Sequence, residues 1–482
     1  MYAKIALRIP KEGLYTYRIP EELETSCEIG KRVLVPLRNR EVVGWLIERR
    51  ETPDYAKRIK DIISILDDEP LISSSLIELC GWISSYYLAS FGDALSLLIP
   101  KGKIKRYPLE EKAEEILCVK PAFTPNKEQE YAISRMCRSI KARKFDTSLL
   151  YGVTGSGKTE VYLQVIEKAI EDGGSAIVLV PEISLTPQII NRFKERFGVR
   201  SAILHSRLTG KQRLIEWQRI RMGDASIVVG ARSALFAPTR NLRLIIVDEE
   251  QSTSYKQESN PRYNARDLAI MRAKIENCVC ILGSATPSLE SFYNAQSKYT
   301  LLHLPNRIEK RPLPLVEIVD MRGEKKETIF SRRLKDAIFY TLEEKGQIIL
   351  LLNRRGYSNF LQCYDCGFIP GCVNCDITLT FHSQDKSLKC HYCGYKRGAY
   401  NLCPKCKGSR LKFPGFGTQR IEAELKGMFP YARILRMDID TTKKRGSHEE
   451  ILKKFEAGSV DILLGTQMIS KGLDFPNVLL VG

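Results

Sequence analysis

The first hundred residues alternate short apolar runs with turn-forming residues, a pattern typical of β-strands. The runs are rich in branched and aromatic side chains, which suit the pleated surface of a sheet. The predicted strands are KIALRI, YTYRI, KRVLVPL and VVGWLIE, and the helical pattern LISSSLIELCGWISSYYL follows them. This pattern predicts a small, separate β-rich domain at residues 1–105. The charged stretch KGKIKRYPLEEKAEE then predicts a linker or a short helix, and we set the linker at residues 106–122.

From about residue 120 the pattern changes, and apolar strand-like runs alternate with amphipathic helical stretches. Continuous apolar strands with helices between them indicate a parallel sheet covered on both faces. The first series is SLLYGV, SAIVLVPE, ASIVVGA, LRLIIVDE and CVCILGSA, and the second is QIILLLN, ARILRMD and VDILLGT. The sequence therefore predicts an α/β fold with two parallel-sheet lobes, the second interrupted by a cysteine-rich insertion.

The segment YGVTGSGKTE has the spacing of a phosphate-binding loop. It follows a predicted strand and precedes the helical pattern EVYLQVIEKAI, which is the context that this motif requires. Glycines let backbone N–H groups close around phosphate oxygens at a helix N-terminus. Lys158 is predicted to reach the β and γ phosphates of ATP, and Thr159 to bind Mg²⁺. The predicted nucleotide-binding loop is Gly152, Val153, Thr154, Gly155, Ser156, Gly157, Lys158 and Thr159.

An acidic pair ends the predicted strand LRLIIVDE, about ninety residues after the phosphate loop. Strands often end in solvated charges, so the pair alone is a weak signal. After a phosphate loop it predicts a nucleotide motor, in which Asp248 binds Mg²⁺ and Glu249 activates the attacking water. We also assign the next two residues, Glu250 and Gln251, to the nucleotide site.

The chain of 482 residues has 75 basic and 57 acidic side chains, a net charge of +18. This excess favours a polyanionic partner such as nucleic acid, although solubility alone is an alternative. No segment combines a basic face with a continuous apolar one, and no apolar run approaches the roughly 20 residues that span a bilayer. We therefore expect no membrane partner. The N-terminus lacks the features of a signal peptide, which predicts a cytoplasmic protein.

Eight of the fourteen cysteines form four C-x2-C pairs within a short segment. In the cytoplasm such pairs bind metal more often than they form disulfides, and four pairs predict two tetrahedral zinc sites, each with four thiolate ligands. The spacing of the inner two pairs favours one site, which leaves the outer pairs for the other, whereas sequential pairing would require a tight connection. His391 is expected to be a bystander, and a redox role is the remaining alternative. The predicted ligands are Cys363, Cys366, Cys372, Cys375, Cys390, Cys393, Cys403 and Cys406.

Several long motifs occur in an order that resembles the PriA family, superfamily 2 helicases that act in bacterial replication restart. The resemblance is strong over residues 120–482 and looser over residues 1–100. The motifs are GVTGSGKTEVY, VPEISLT, GARSALFAP, DEEQSTSYKQES, PRYNARDLA, GSATPS, LLNRRGYS and GTQMISKGLDFPNV, together with the eight cysteines.

The resemblance implies an N-terminal DNA-binding domain that caps a 3′ end and two RecA-like helicase lobes. It places lobe 1 at residues 123–310, the start of lobe 2 at 311–356, a zinc-binding insertion at 357–413 and the rest of lobe 2 at 414–482. It also implies the nested zinc arrangement and an ATP-dependent 3′–5′ DNA helicase at replication forks. The implied partners are forked and single-stranded DNA, single-stranded-DNA-binding protein, other primosome proteins, and the replicative helicase with its loader.

Some residue roles are implied only by the resemblance. Gln129 matches an adenine-recognising residue, while Ser284 and Thr286 match a motif that couples nucleotide state to DNA movement. The segment SYKQESNPRY is similar to the family's aromatic-rich loop, whose tyrosines either stack on DNA bases or pack beside the loop. Other basic residues either touch DNA or form structural ion pairs, among them Arg354 and Arg355. The predicted DNA contacts are Arg232, Tyr255, Lys256, Arg262 and Tyr263.

The chain also departs from the family pattern. Gln251 stands where relatives usually have His, Thr16 stands where an acidic residue is frequent, and no winged-helix domain fits between Pro100 and Phe123. The sequence ends after GTQMISKGLDFP, before the arginine motif that stabilises the transferring phosphate in such motors. We therefore expect a C-terminally truncated chain with an incomplete second lobe. A non-motor DNA-binding and docking scaffold, or another superfamily 2 repair translocase, are the alternative functions.

Overall fold

A computed structural model of the chain forms two compact units, Met1–Pro312 and Leu313–Gly482. None of the helices in the described residues is long and apolar enough to cross a membrane. The predicted linker at 106–122 and the Arg354–Arg355 pair lie outside the described residues. The structure describes residues 1–9, 13–53, 59–100, 124–181, 187–205, 208–308, 312–321, 324, 329–352, 360–382, 385, 387–412, 418–438, 441, 447–466, 469 and 475–482.

The first unit begins with a five-stranded antiparallel sheet of order β2-β1-β4-β3-β5. All four strands predicted from the sequence are confirmed, and so is the following helix. Thr16, on β2, is buried, and its hydroxyl has no hydrogen-bond partner among the described residues. The elements are β1 (Tyr2–Leu7), β2 (Tyr15–Arg18), β3 (Arg32–Leu37), β4 (Arg40–Arg50), β5 (Ser64–Ile65), α1 (Ser74–Tyr87) and α2 (Phe91–Leu95).

The rest of the first unit is a seven-stranded parallel sheet of order β12-β6-β11-β10-β7-β9-β8, covered by helices on both faces. This confirms the predicted parallel lobe. Its strands are β6 (Asp146–Gly152), β7 (Ser175–Leu179), β8 (Ser201–Leu204), β9 (Ile227–Gly230), β10 (Leu242–Asp248), β11 (Val279–Ser284) and β12 (Thr300–Leu304). Its helices are α3 (Lys127–Lys141), α4 (Lys158–Glu171), α5 (Pro187–Phe197), α6 (Gly210–Met222), α7 (Ala265–Ile275) and α8 (Leu289–Asn294).

Helix starts in this lobe follow their sequence signals. The side chain of Asn126 accepts from the backbone of Gln129, whose side chain accepts in return from the backbone of Asn126. Thr209 and Gln212 form the same reciprocal capping box at the start of α6. Each box satisfies two N–H groups that the first helical turn would otherwise leave unpaired.

The N-terminal domain and the seven-stranded lobe share one hydrophobic core. Side chains of α1 and α2 and of the segment that ends at Leu98 pack in the same cluster as one face of the large sheet. The indole N–H of Trp217, on α6, donates to the backbone carbonyl of Leu98 at 3.0 Å. Because this bond is buried, it fixes the two parts of the unit against each other.

The second unit contains a four-stranded parallel sheet of order β19-β20-β13-β21. The cysteine-rich segment lies between β13 and α10 and forms two small antiparallel sheets, β14-β18 and β15-β16-β17. The elements are α9 (Arg332–Glu343), β13 (Gln347–Leu351), β14 (Gln362–Cys363), β15 (Thr380–His382), β16 (Ser387–Lys389), β17 (Lys396–Gly398), β18 (Leu411–Lys412), α10 (Thr418–Met428), β19 (Ile434–Met437), α11 (Ser447–Glu456), β20 (Ile462–Gly465) and β21 (Val478–Val481).

Candidate nucleotide site and metal centres

The phosphate loop lies between β6 and α4, as its sequence predicts. Gly155 and Gly157 have φ values of +80° and +81°, which only glycine adopts readily. A Cβ atom at Gly157 would come within 2.5 Å of the Gln129 amide nitrogen, and one at Gly155 within 3.1 Å of the Arg307 Nε. Helix α4 begins at Lys158, so its first N–H groups face the loop. The loop therefore has the backbone of an anion cradle.

Lys158 is folded over the loop. Its Nζ donates to the carbonyls of Gly152 at 2.8 Å and Val153 at 3.4 Å. Burial lowers the pKa of this amine, and the nearby carboxylates of Asp248 and Glu249 partly oppose that shift. A cation held at the mouth of an anion cradle fits a phosphate-binding role.

Gln129 connects α3 to the loop. Its side chain is buried, and its amide nitrogen donates to the carbonyl of Ser156 at 2.9 Å. Its carbonyl oxygen accepts from the backbone of Asn126 at 2.8 Å. In this arrangement Gln129 braces the phosphate loop, and adenine recognition by its amide remains a prediction.

Asp248 ends β10 beside the loop. The hydroxyl of Tyr162, on α4, donates to its Oδ1 at 3.0 Å. Removal of the carboxyl from water and repulsion from Glu249 raise the pKa of Asp248 to about 6, although Tyr162 and Lys158 oppose the shift. A buried carboxylate whose charge is unfavourable is suited to bind a cation. Asp248 and Thr159 are therefore the residues that would hold Mg²⁺.

Glu249, Gln251 and Ser284 form a hydrogen-bonded relay between the ends of β10 and β11. The amide of Gln251 donates to the carboxylate of Glu249 at 2.6 Å, and its carbonyl accepts from the hydroxyl of Ser284 at 2.7 Å. The backbone N–H of Thr286 donates to the same hydroxyl at 2.9 Å. Gln251 thus connects the acidic pair to the GSAT segment with both ends of its side chain.

Glu250 points away from this relay into the protein. Its carboxylate is buried and accepts from the backbone and hydroxyl of Ser288, the hydroxyl of Ser291 and the guanidinium of Arg266. These partners place a negative charge at the N-terminus of α8, where the helix dipole is favourable. Glu250, which the sequence predicted to contact the nucleotide, therefore anchors the start of α8 in this structure.

The tyrosines of the aromatic-rich loop are core residues in this structure. Tyr255 and Tyr263 are each 1% exposed, so neither ring offers a face to a base. The Tyr255 hydroxyl donates to the backbone carbonyl of Asp248 at 2.6 Å and lies 3.0 Å from that of Leu179. Tyr263 packs edge-on against Phe236. Their placement corrects the expectation of base stacking and favours the packing role that the sequence left open.

The basic residues predicted to contact DNA divide into two groups. Arg232 holds the loop, because its guanidinium donates to the carbonyls of Ser254 at 3.0 Å and Lys256 at 2.7 Å. Lys256 and Arg262 are exposed, and the Lys256 ammonium donates to the Arg262 carbonyl. As placed, Arg232 is a structural residue, and only Lys256 and Arg262 remain accessible to DNA.

Sequence reasoning did not single out three residues that shape this site. Tyr162 binds Asp248, Arg266 binds Glu250, and the Arg307 Nε donates to the carbonyl of Thr154 at 3.1 Å. Tyr162 lies one helical turn after Lys158, a spacing that places both on one face of α4 and is visible in the sequence. The roles of Arg266 and Arg307 depend on long-range contacts that have no local signal.

The eight cysteines form two clusters, each with its four sulfurs within 4.8 Å of one another. Cys363 lies 3.6 Å from Cys406 and Cys366 lies 3.6 Å from Cys403, while Cys372 lies 3.5 Å from Cys393. Tetrahedral thiolates around Zn²⁺ are separated by roughly 3.8 Å, so both clusters fit one such ion. The nested pairing is confirmed, with Cys363, Cys366, Cys403 and Cys406 in one cluster and Cys372, Cys375, Cys390 and Cys393 in the other.

Local turns build these clusters. After three of the C-x2-C pairs the next residue has a positive φ, namely Gly367, Gly394 and Lys407. Each donates its N–H to the carbonyl of the first cysteine of its pair. His391 is not in either cluster, and its Nε2 lies 3.2 Å from that of His382. With all four positions filled by thiolates, the clusters fit structural rather than catalytic zinc.

Four family models match the chain. The 3′ DNA-binding domain of PriA matches residues 4–100, and the DEAD/DEAH box helicase matches residues 126–294. The Cys-rich region of the PriA DNA helicase matches residues 372–397, and the helicase conserved C-terminal domain matches residues 417–482.

Curated relatives are similar to this chain over most or all of its length. Replication restart protein PriA of Bacillus subtilis is 50% identical over 359 residues, which cover 74% of this chain and 45% of that protein. That of Treponema pallidum is 38% identical over 488 residues, which cover 100% of this chain and 73% of that protein. The solved structure of RecG bound to a three-way DNA junction covers 84% of this chain and 44% of that one, with 16% identity and a TM-score of 0.42, too distant to bear on function.

Proposed function

This chain belongs to the PriA family of replication restart proteins, and we propose that it is an ATP-dependent 3′–5′ DNA helicase. In this proposal it recognises forked DNA in the bacterial cytoplasm and opens a strand on which the replicative helicase is loaded. The observation that carries the proposal is the relay from Glu249 through Gln251 to Ser284, beside a formed phosphate loop. Such a relay is what a motor needs to couple hydrolysis to movement.

The nucleotide end of the site is provided by α4 and β10. Lys158 turns from the carbonyls of Gly152 and Val153 to the β and γ phosphates, and the loop N–H groups bind the phosphate oxygens. Thr159 and Asp248 would hold Mg²⁺, which would neutralise charge on the phosphates. The Tyr162 hydroxyl orients the Asp248 carboxylate by donating to its Oδ1, and this carboxylate would contact the cation or a water bound to it.

The hydrolytic residue in this proposal is Glu249. Its carboxylate accepts a proton from the attacking water as the γ phosphate departs. The Gln251 amide holds one carboxylate oxygen at 2.6 Å, which fixes the side chain and leaves the second oxygen for the water. Since Ser284 binds the other end of Gln251, a displacement of the GSAT segment would change the orientation of Glu249.

The DNA end of the coupling is the aromatic-rich loop. Tyr255 ties this loop to the backbone of Asp248, and Arg232 holds the loop through two carbonyls. Lys256 and Arg262 project from the same loop and are exposed. Contact between these cations and a DNA backbone would therefore act on a segment hydrogen-bonded to the hydrolytic strand.

The zinc clusters give the cysteine-rich segment its structure, because that segment buries few apolar side chains of its own. We propose that this module docks other primosome proteins and guides a DNA strand. Single-stranded-DNA-binding protein and the replicative helicase with its loader are the proposed partners. The chain spans 45% of the length of the Bacillus subtilis relative, and we propose these partners for the whole protein.

Unwinding of labelled forks tests the proposal. Forks whose duplex can be entered only along a 3′ tail should be opened when ATP and Mg²⁺ are present, and forks with only a 5′ tail should not. A Lys158→Ala variant is the matched control, because it removes the phosphate contact outside the DNA-binding surface. Unwinding of both tail types, or of neither, contradicts the proposed activity.

A further inference from the structure

Three aromatic side chains form a cluster on helix α1 of the N-terminal domain. The rings of Trp82 and Tyr86 are stacked, with centroids 4.6 Å apart and planes 11° from parallel. Tyr87 packs edge-on against both, at 5.8 Å from Trp82 and 4.9 Å from Tyr86. Trp82 and Tyr86 lie one helical turn apart, which places their rings on the same face of α1.

The cluster is supported on its protein side and open on the other. The Tyr87 hydroxyl accepts from the backbone N–H of Asn264 at 3.1 Å, which holds the base of the cluster against the neighbouring lobe. Trp82 is partly buried, whereas Tyr86 remains 64% exposed. Because one face of the Tyr86 ring rests on Trp82, its exposure comes from the opposite face and the ring edge. A rigid flat ring with a free face is thus presented to solvent.

Positive charge lies beside the aromatic cluster, next to Tyr87. The Lys256 ammonium lies 5.2 Å above the Tyr87 ring, and Arg262 is exposed on the same loop. Two nearby carboxylates are paired, Asp93 with Arg8 and Asp267 with Arg266. A free aromatic face beside exposed cations is a combination that binds single-stranded nucleic acid, since every base has a face to stack and a phosphate to neutralise.

We infer that the Trp82–Tyr86 stack is a binding site for one base of single-stranded DNA, which lies on the free face of Tyr86 while Lys256 and Arg262 contact the adjacent phosphates. The inference rests on the proposed function and adds a defined base contact to it. An apolar protein segment fits the site less well, because the flat ring provides no pocket and the bordering charges favour a polyanion. The tyrosines of the aromatic-rich loop are buried, so this stack supplies the ring face that they do not.

The site is also connected to the hydrolytic strand. Tyr87 contacts Asn264 and Lys256, both in or beside the loop that contains Tyr255, and Tyr255 binds the carbonyl of Asp248. A base held on Tyr86 would therefore lie next to the segment proposed to couple DNA to ATP. This contact requires no rearrangement of the core.

Fluorescence anisotropy with a labelled oligothymidylate tests the inference on the full chain. Base stacking is worth roughly 1–3 kcal/mol, so Tyr86→Ala is expected to weaken affinity by about 5- to 150-fold. Tyr86→Phe keeps the ring and should bind as the wild type does. Tyr131→Ala is the matched control, because Tyr131 is similarly exposed at 61% but lies on α3. Each variant's unfolding midpoint checks that it folds.

Tryptophan fluorescence provides a second readout. Trp45 and Trp217 are buried, so Trp82 is the accessible one of the three tryptophans. Binding of the oligonucleotide should quench emission in the wild type, and Trp82→Phe should lose that quenching. Wild-type affinity in Tyr86→Ala, or equal losses in Tyr86→Ala and Tyr86→Phe, would overturn the stacking site and leave the proposed helicase standing. A wild-type chain that binds no oligonucleotide would contradict both.

Discussion

The amide of Gln251 donates a 2.6 Å hydrogen bond to the carboxylate of Glu249, the residue proposed to activate water. An amide suits this position because it both donates and accepts hydrogen bonds. The carbonyl of Gln251 accepts from Ser284 in the neighbouring strand. The single side chain therefore holds the hydrolytic carboxylate and the coupling segment together.

Removal of the Gln251 side chain should uncouple the hydrolytic carboxylate of Glu249 from the segment that contains Ser284. A charge-assisted hydrogen bond contributes about 1.5–3 kcal/mol, so Gln251→Ala is expected to lower DNA-stimulated ATP turnover by roughly 10- to 150-fold. Nucleotide affinity should not change, because Lys158 and Asp248 are untouched. Gln251→His is the matched variant, since an imidazole N–H can donate to Glu249, and it should retain most of the stimulation. Full stimulation in Gln251→Ala would show that the relay carries no coupling.

Asp248→Asn should stabilise the nucleotide-free protein at neutral pH. The pKa of Asp248 is about 6, above its ordinary 3.8, so the folded state binds the proton more tightly than the unfolded state does. The charged carboxylate therefore destabilises the fold above pH 6 by on the order of 1–3 kcal/mol, and this cost disappears as pH falls toward 4. Asn keeps the acceptor for Tyr162. Urea unfolding at pH 7.5 and pH 5 should show that Asp248→Asn raises the free energy of unfolding more at pH 7.5. An increase that does not depend on pH would show that the charge of Asp248 does not destabilise the fold.

Tyr255→Phe should lower stability without weakening DNA binding. The change leaves the buried carbonyls of Asp248 and Leu179 without the hydroxyl, at a cost of about 1–3 kcal/mol in the free energy of unfolding. The ring still fills the core, so the loop should keep its shape. Denaturant titration and oligonucleotide binding measure the two effects. Weaker DNA binding at unchanged stability would instead show that the Tyr255 hydroxyl contacts DNA rather than the core carbonyls.

Zinc content distinguishes the nested from the sequential pairing of cysteines. The wild type should hold two ions per chain. In the nested arrangement the double variant Cys363→Ser with Cys403→Ser damages one site, and Cys363→Ser with Cys372→Ser damages both. Sequential pairing predicts the opposite result for the two variants. Cys137→Ser is the control, since Cys137 lies on α3 outside both clusters. Metal analysis of the purified proteins reads out the answer directly.

The elements that the sequence predicted share a strong local signal. Continuous apolar runs identified β6, β7, β10, β11 and β13, and Gly and Cys spacings identified the phosphate loop and the zinc clusters. Strand β12 was missed because the polar residues Thr300 and His303 leave only a short apolar run. Strand β21 was missed although its four residues, VLLV, are all apolar, because so short a run does not distinguish a strand from other buried structure. Strand β8 was missed because it has only four residues, two of them Ser and Ala.

The site residues that were predicted correctly also have a local sequence signal, and the others do not. Lys158, Asp248 and Glu249 come together as their motifs predict, because the carboxyl ends of parallel strands meet at one edge of the sheet. The burial of Tyr255 and Tyr263 was not predictable, since a tyrosine suits both a core and a base-stacking surface. The exposure of Tyr86 could not be predicted either, because it depends on how α1 packs against a lobe that is distant in sequence.

ATP hydrolysis with and without forked DNA tests the central claim most directly. The account predicts turnover that DNA stimulates and that both Lys158→Ala and Glu249→Gln abolish, while Glu249→Gln still binds nucleotide. Turnover that survives Lys158→Ala would place hydrolysis outside this site. Tight binding of the fork without turnover would contradict the motor and indicate a DNA-binding scaffold.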